Sequence, residues 1–178
     1  MSAHISPHLV LPVSPTRDHI RGPVNARLTL LEYGDYECPY SRKAFREIER
    51  VEARRGGDLR FCFRHFPLTD IHPHAFAASA AAEAAARQGR FWEMHALLFH
   101  RQKALADDDL RAYAGELELE LGVFDQDRAG VAVAERIARD VESAVASGEV
   151  LGTPTLFIDG VVHRGAYDAA SLLEALSA

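Results

Sequence analysis

Hydrophobic and polar positions along the chain fall into two periods, and their order outlines a fold. Arg27 to Gly34 (RLTLLEYG) is mostly apolar and rich in β-formers, the pattern of a central strand covered on both faces. Across 40–55, Ala44, Phe45, Ile48 and Val51 recur at helical spacing with charges between them, and Gly56-Gly57 stops that helix. Leu59 to Phe66 (LRFCFRHF) predicts a second strand, closed by Pro67. From His74 to Gly148 no proline interrupts an Ala-, Leu-, Glu- and Arg-rich stretch. Its periodicity predicts about four helices, roughly 73–88, 90–102, 107–121 and 126–148, with Pro73 in the first turn of the first and Asp107-Asp108-Asp109 opening the third. Residues 154–159 (PTLFID) predict a third strand. Asp159-Gly160 then predicts a hairpin into Val161-Val162-His163, and 168–177 a short closing helix capped by Asp168.

The order β, α, β, helical block, β, β, α predicts an α/β domain. Two parallel strands need the crossover helix, and the terminal hairpin adds an antiparallel strand. The expectation is a four-stranded mixed sheet with helices on both faces and an all-helical insertion. Residues 1–24, with four prolines and no period, are expected to form an extended arm. The core is then 25–69 and 149–178, and the insertion 70–148.

Composition adds limits. The chain has 178 residues and a net charge of −6, so duplex nucleic acid and anionic membranes are not expected partners. No stretch has the length and apolarity of a membrane span. The N-terminus lacks the basic and apolar regions of a secretory signal, so a cytoplasmic location is expected. Two cysteines in a chain of this size do not make a disulfide scaffold.

Cys38 carries the chemistry. It directly follows the buried strand and precedes a helix, where unpaired N–H groups and the helix dipole favour a thiolate. By position alone it is also compatible with an ordinary buried cysteine. Pro39 suits the first helical turn. Cys62, flanked by Phe61 and Phe63 inside a strand, reads as a core residue. His72-Pro73-His74 reads as a helix start, since residues two apart do not share a helix face and no third metal ligand accompanies them; no metal site is expected.

Several segments together resemble the DsbA-like branch of thioredoxin-fold proteins: Glu32 to Ser41 (EYGDYECPYS), Phe63 to Leu68 (FRHFPL), His72 to Ala75 (HPHA), Phe91 to His95 (FWEMH) and Gly152 to Gly160 (GTPTLFIDG). The resemblance spans about residues 18–178. It implies a thioredoxin fold with a helical insertion and thiol–disulfide oxidoreductase activity. It implies that Pro154 is the cis-proline beside the reactive cysteine, against the alternative of a strand-initiating proline. It also implies that Glu32 is a buried acid able to move protons to and from the thiol, against the alternative of an acid at the sheet's exposed end. Pro39, Tyr40, Thr153 and Pro154 become the candidate substrate-contacting positions.

The departure from the family pattern is Ser41, which stands where the motif's second cysteine belongs. Cys-X-X-Ser cannot resolve its own mixed disulfide. The expected activity is therefore monothiol exchange at Cys38 on protein or small-molecule disulfides, by isomerisation or reduction. No cofactor is expected to bind tightly, with glutathione or another low-molecular-weight thiol as co-substrate and Ser41 donating a hydrogen bond to the Cys38 sulfur. The chain is expected as a monomer or homodimer. Two other functions fit parts of the pattern: a kappa-class-like glutathione transferase or isomerase, and a non-catalytic peptide-binding module.

Overall fold

The computed structural model describes residues 8–178. Its sheet has five strands in the order β1-β3-β2-β4-β5: β1 (His19–Arg21), β2 (Leu28–Gly34), β3 (Leu59–His65), β4 (Thr155–Ile158) and β5 (Val161–His163). β2 and β3 run parallel, linked by helix α1 (Pro39–Arg55), and the other pairs are antiparallel. Every residue of β2 is buried, as its apolar run requires.

The four-stranded expectation is corrected by β1, which lies within the segment read as an extended arm and pairs with the free edge of β3. Three residues, His-Ile-Arg, are too few to show a period, so the strand left no sequence signal. A buried ion pair holds it in place. Arg64 of β3 grips Asp18 through Nε–Oδ1 (2.9 Å) and Nη2–Oδ2 (3.0 Å), and also donates to the hydroxyl of Tyr33 (3.0 Å).

Five helices, rather than four, separate β3 from β4: α2 (Ala75–Arg87), α3 (Phe91–His100), α4 (Asp107–Glu116), α5 (Leu121–Arg128) and α6 (Val131–Ser147). The helix expected over 107–121 ends at Glu116. Glu118 takes a positive φ of 57°, and the N–H groups of Glu118 and Leu119 turn back to the carbonyls of Gly115 and Ala114. This is a Schellman end built without glycine, and burial of Leu119 in the core sets it. Pro73 precedes α2, which starts at Ala75 with His74 as its N-cap.

The strands' two-residue period divides the core. Leu28, Leu30, Phe61 and Phe63 face α1, α3 and the closing helix α7 (Ala169–Ala175), through Phe45, Ile48, Phe99 and Leu172. Leu31, Tyr33, Cys62 and Phe157 face the other way, where α6 covers them through Ala144. Asp168 caps α7 by accepting the Ser171 N–H (3.1 Å). None of the described helices is long and apolar enough to cross a membrane.

Candidate active site around Cys38

Cys38 is the N-cap of α1, with an extended backbone (φ −73°, ψ 121°) and Pro39 as the first helical residue. Pro39 has no N–H to leave unpaired at that position. The side chain of Cys38 makes no cap hydrogen bond; its thiol donates instead to the carbonyl of Thr153, 3.3 Å away. The Thr153–Pro154 peptide bond is cis, and the chain leads from it directly into β4. Cys38 and the Thr153–Pro154 pair, 115 residues away in sequence, therefore meet at one end of the sheet. Cys38 is only 3% exposed, whereas its neighbour Tyr40 is 64% exposed and stands on the surface beside it.

Glu32 is fully buried in β2, opposite Leu156 of β4 and therefore beside the strand that starts directly after Pro154. Neither carboxyl oxygen has a hydrogen-bond partner among the described residues. With nothing to compensate the loss of water, burial pushes its pKa up to about 8. Of the two readings of Glu32, the structure holds the buried one.

Ser41 is buried in the first turn of α1. Its hydroxyl oxygen accepts the N–H of Asp35 (3.2 Å), and no hydrogen bond joins it to the Cys38 sulfur. The expected Ser41–sulfur bond is replaced by one that holds the turn before Cys38.

That turn depends on side-chain contacts that left no local pattern in the sequence. Asp35 is fully buried. Its carboxylate accepts the N–H of Glu37 (2.8 Å), the N–H of Leu68 (2.9 Å) and the Nδ1–H of His72 (2.7 Å), and its carbonyl accepts the N–H of Cys38 (3.1 Å). Gln102, just beyond α3, donates through Nε2 to the carbonyls of Tyr36 (2.7 Å) and Cys38 (2.9 Å). Tyr36 itself shares a hydrogen bond with Nδ1 of His95 (2.9 Å). Burial keeps both neutral, raising the Tyr36 phenol well above its usual range and lowering His95 well below it. His72, expected as part of a helix start, is in fact a side-chain partner of the turn before Cys38.

Gly34 ends β2 under this turn. A Cβ there would lie 2.5 Å from Cε2 of Phe63 and 2.8 Å from Oε1 of Glu32. Gly34→Ala is expected to destabilise the fold by about 1–3 kcal/mol through overpacking. At about 2–4 °C per kcal/mol, a thermal melt would show this clearly, and an unchanged midpoint would refute it.

A family model described as thioredoxin matches residues 14–178. The chain belongs to the thioredoxin family. Its fold is the DsbA-like form, with helices between β3 and β4. A thioredoxin-like oxidoreductase from Silicibacter pomeroyi superimposes with a TM-score of 0.81 at 24% identity, covering 92% of each chain. BdbD from Bacillus subtilis superimposes at 0.78 with 20% identity, covering 92% of this chain and 93% of that one. In sequence, this thioredoxin-family chain is similar to proteins named as sodium/proton antiporters. It is 46% identical over 172 residues to NhaA 1 of Mycolicibacterium vanbaalenii, and 47% identical over 170 residues to NhaA 1 of Salinispora arenicola. Each match covers 96% of this chain but only 28% and 25% of those proteins, so the chain spans roughly a quarter of the length of the curated relatives it matches.

Proposed function

We propose that this protein is a thiol–disulfide oxidoreductase that works through Cys38 alone, exchanging disulfides of proteins or small molecules with the help of an external thiol. The observation that carries the reading is the pairing of the Cys38 sulfur with the Thr153 carbonyl at the Pro154 turn, with a serine in place of a second thiol. The Cys38 thiolate attacks one sulfur of a substrate disulfide; that S–S bond breaks, a Cys38–substrate disulfide forms, and the other half leaves as a thiolate. A second thiol then attacks the mixed disulfide and frees Cys38. In this scheme Glu32, whose pKa burial raises to about 8, gives and recovers the proton that these steps move. On this reading substrate main chain lies against Thr153 and Pro154, and the exposed Tyr40, two residues along from Cys38, offers it a ring.

Cys62 does not serve as the resolving thiol. It is fully buried on the opposite face of the sheet, and burial pushes its thiol far above the usual range. A closely similar segment inside chains named as antiporters supports a redox module that functions within longer proteins; on this reading ion transport belongs to the remaining length of those chains.

The test is intact-mass analysis after exposure to oxidised glutathione. One glutathione adduct, mapped to Cys38 and removed by reduced glutathione, is the expected result. An unmodified protein, an internal disulfide or equal labelling of Cys62 would each refute the monothiol scheme.

A further inference from the structure

A pocket of about 310 Å³ opens beside the Cys38 turn, lined by Arg42, His100, Arg101, Gln102, Lys103 and Ala104. Two of its lining residues are bonded to the backbone of Cys38. The Cys38 carbonyl accepts both the backbone N–H of Arg42 (3.1 Å) and the side-chain amide of Gln102 (2.9 Å). Three of the six lining residues are permanent cations, in a chain whose net charge is −6.

The cations are not equally engaged. Arg101 is bound to Glu116 (2.6 Å) and lies over the ring of Tyr113. Arg42 and Lys103 form no ion pair among the described residues. Nε of Arg42 is shut off from water and has no hydrogen-bond partner among the described residues. That sealed N–H is out of a ligand's reach, but the rest of the Arg42 guanidinium and the Lys103 ammonium carry charge with no anionic partner among the described residues, and a carboxylate gives such cations the strongest charge-assisted hydrogen bonds. The volume, near the lower end of ligand-sized pockets, admits the end of a small molecule.

We infer that Arg42 and Lys103 form a carboxylate-binding subsite, so that the external thiol partner of Cys38 is a low-molecular-weight thiol bearing carboxylate groups. This rests on the monothiol reading of Cys38. The chemistry balances without a further reactant. The Cys38 thiolate attacks the oxidised small thiol, one S–S bond breaks as another forms, and one equivalent of the reduced small thiol leaves. Arg42 and Lys103 hold the carboxylate end while the sulfur stands at Cys38 and Thr153.

The experiment compares the rates at which Cys38 forms a mixed disulfide with oxidised glutathione, which is anionic, and with cystamine, which is cationic and has no carboxylate. Each rate is divided by that of free cysteine under the same conditions. The normalised ratio is expected to favour oxidised glutathione. In the Arg42→Gln/Lys103→Gln double variant it should fall about tenfold, the effect of losing roughly one charge-assisted hydrogen bond. A folding defect or a less reactive sulfur would slow both reagents and leave the ratio unchanged. Lys43→Gln removes one positive charge from α1 outside the pocket, half of what the double variant loses, and should move the ratio less than twofold.

An unaltered ratio in the double variant would overturn the subsite. So would an equal fall in Lys43→Gln, because the effect would then be a general field. If Cys38 reacted with neither disulfide, the monothiol reading itself would fail, an outcome distinct from the other two.

Discussion

Replacing Arg64 with alanine is expected to destabilise the protein by about 3–5 kcal/mol, the usual consequence of stripping one partner from a buried ion pair. The side chains of Arg64 and Asp18 are 0% and 1% exposed. Deleting the guanidinium leaves the Asp18 carboxylate in the interior without its cation and removes a donor from the Tyr33 hydroxyl. It also unpins β1 from the edge of β3. At roughly 2–4 °C per kcal/mol, the melting temperature should drop by on the order of 10 °C. The paired change Asp18→Leu/Arg64→Met should lose much less than the sum of its single changes, because it leaves no charge stranded. Burial alone would raise the pKa of Asp18, but the Arg64 hydrogen bonds, the Ser14 N–H and nearby guanidinium charge together bring it below the ordinary value. Its contribution is therefore present above the unfolded-state pKa and is lost as pH falls through the folded one. Denaturant titration of the single and double variants checks this. A loss under about 1 kcal/mol for Arg64→Ala would show that the pair does not anchor the arm.

Glu32→Gln should remove a pH dependence of stability that is otherwise large. In the folded protein the Glu32 pKa is about 8, against 4.5 for an unperturbed glutamate. Between those values the unfolded chain has released its proton and the folded chain still holds it. Stability therefore declines as pH rises, by about 1.4 kcal/mol per unit while the window lasts, and levels off above the folded value. At pH 7 the accumulated penalty is on the order of 3 kcal/mol. His95 acts in the opposite direction at lower pH. Buried and neutral, with a pKa well below 6.5, it makes stability rise with pH until the unfolded histidine has titrated. The decline due to Glu32 is thus cleanest from about pH 6.5 to 8, and subtracting the variant's curve cancels His95 throughout. Glu32→Gln should be more stable than the parent at pH 8, with the advantage vanishing toward pH 4.5. On the proposed mechanism it should also slow release of the mixed disulfide by about 10²-fold, the usual scale of a lost general acid–base group. Parallel stability curves for the two proteins would refute the buried-acid assignment.

The two outcomes concern different kinds of information. Glu32 is identifiable from the sequence, by its position six residues ahead of Cys38 in a segment resembling the DsbA-like active site. Arg64 lies in another resembling segment, but nothing local names Asp18 as its partner.

Much of the architecture follows from local pattern. The apolar run 28–34 specifies a covered strand, Cys38-Pro39 a helix start, Gly56 a stop, and Asp159-Gly160 a hairpin, because each depends on neighbours within a few residues. β1 was not legible, since a three-residue edge strand is defined by the edge it joins and by the Asp18–Arg64 pair, 46 residues apart in sequence. The helix end at Glu118 was not legible either. No glycine or proline marks it, and the positive φ is imposed where Leu119 turns into the core.

The site divides in the same way. Sequence by itself determined that Cys38 stands at a strand-to-helix turn, that Ser41 replaces a second thiol, and that Thr153-Pro154 accompanies them. Tertiary structure alone decided that the Cys38 thiol meets the Thr153 carbonyl, that Ser41 binds Asp35 and not the sulfur, and that Asp35, His72 and Gln102 hold the turn. It alone brought Arg42 and Lys103 to one pocket. The physical reason is range. Periodicity and capping act within a turn or two of chain, whereas the contacts of Cys38 with Thr153, Asp35 with His72 and Cys38 with Gln102 join residues 115, 37 and 64 apart in sequence and leave no local pattern.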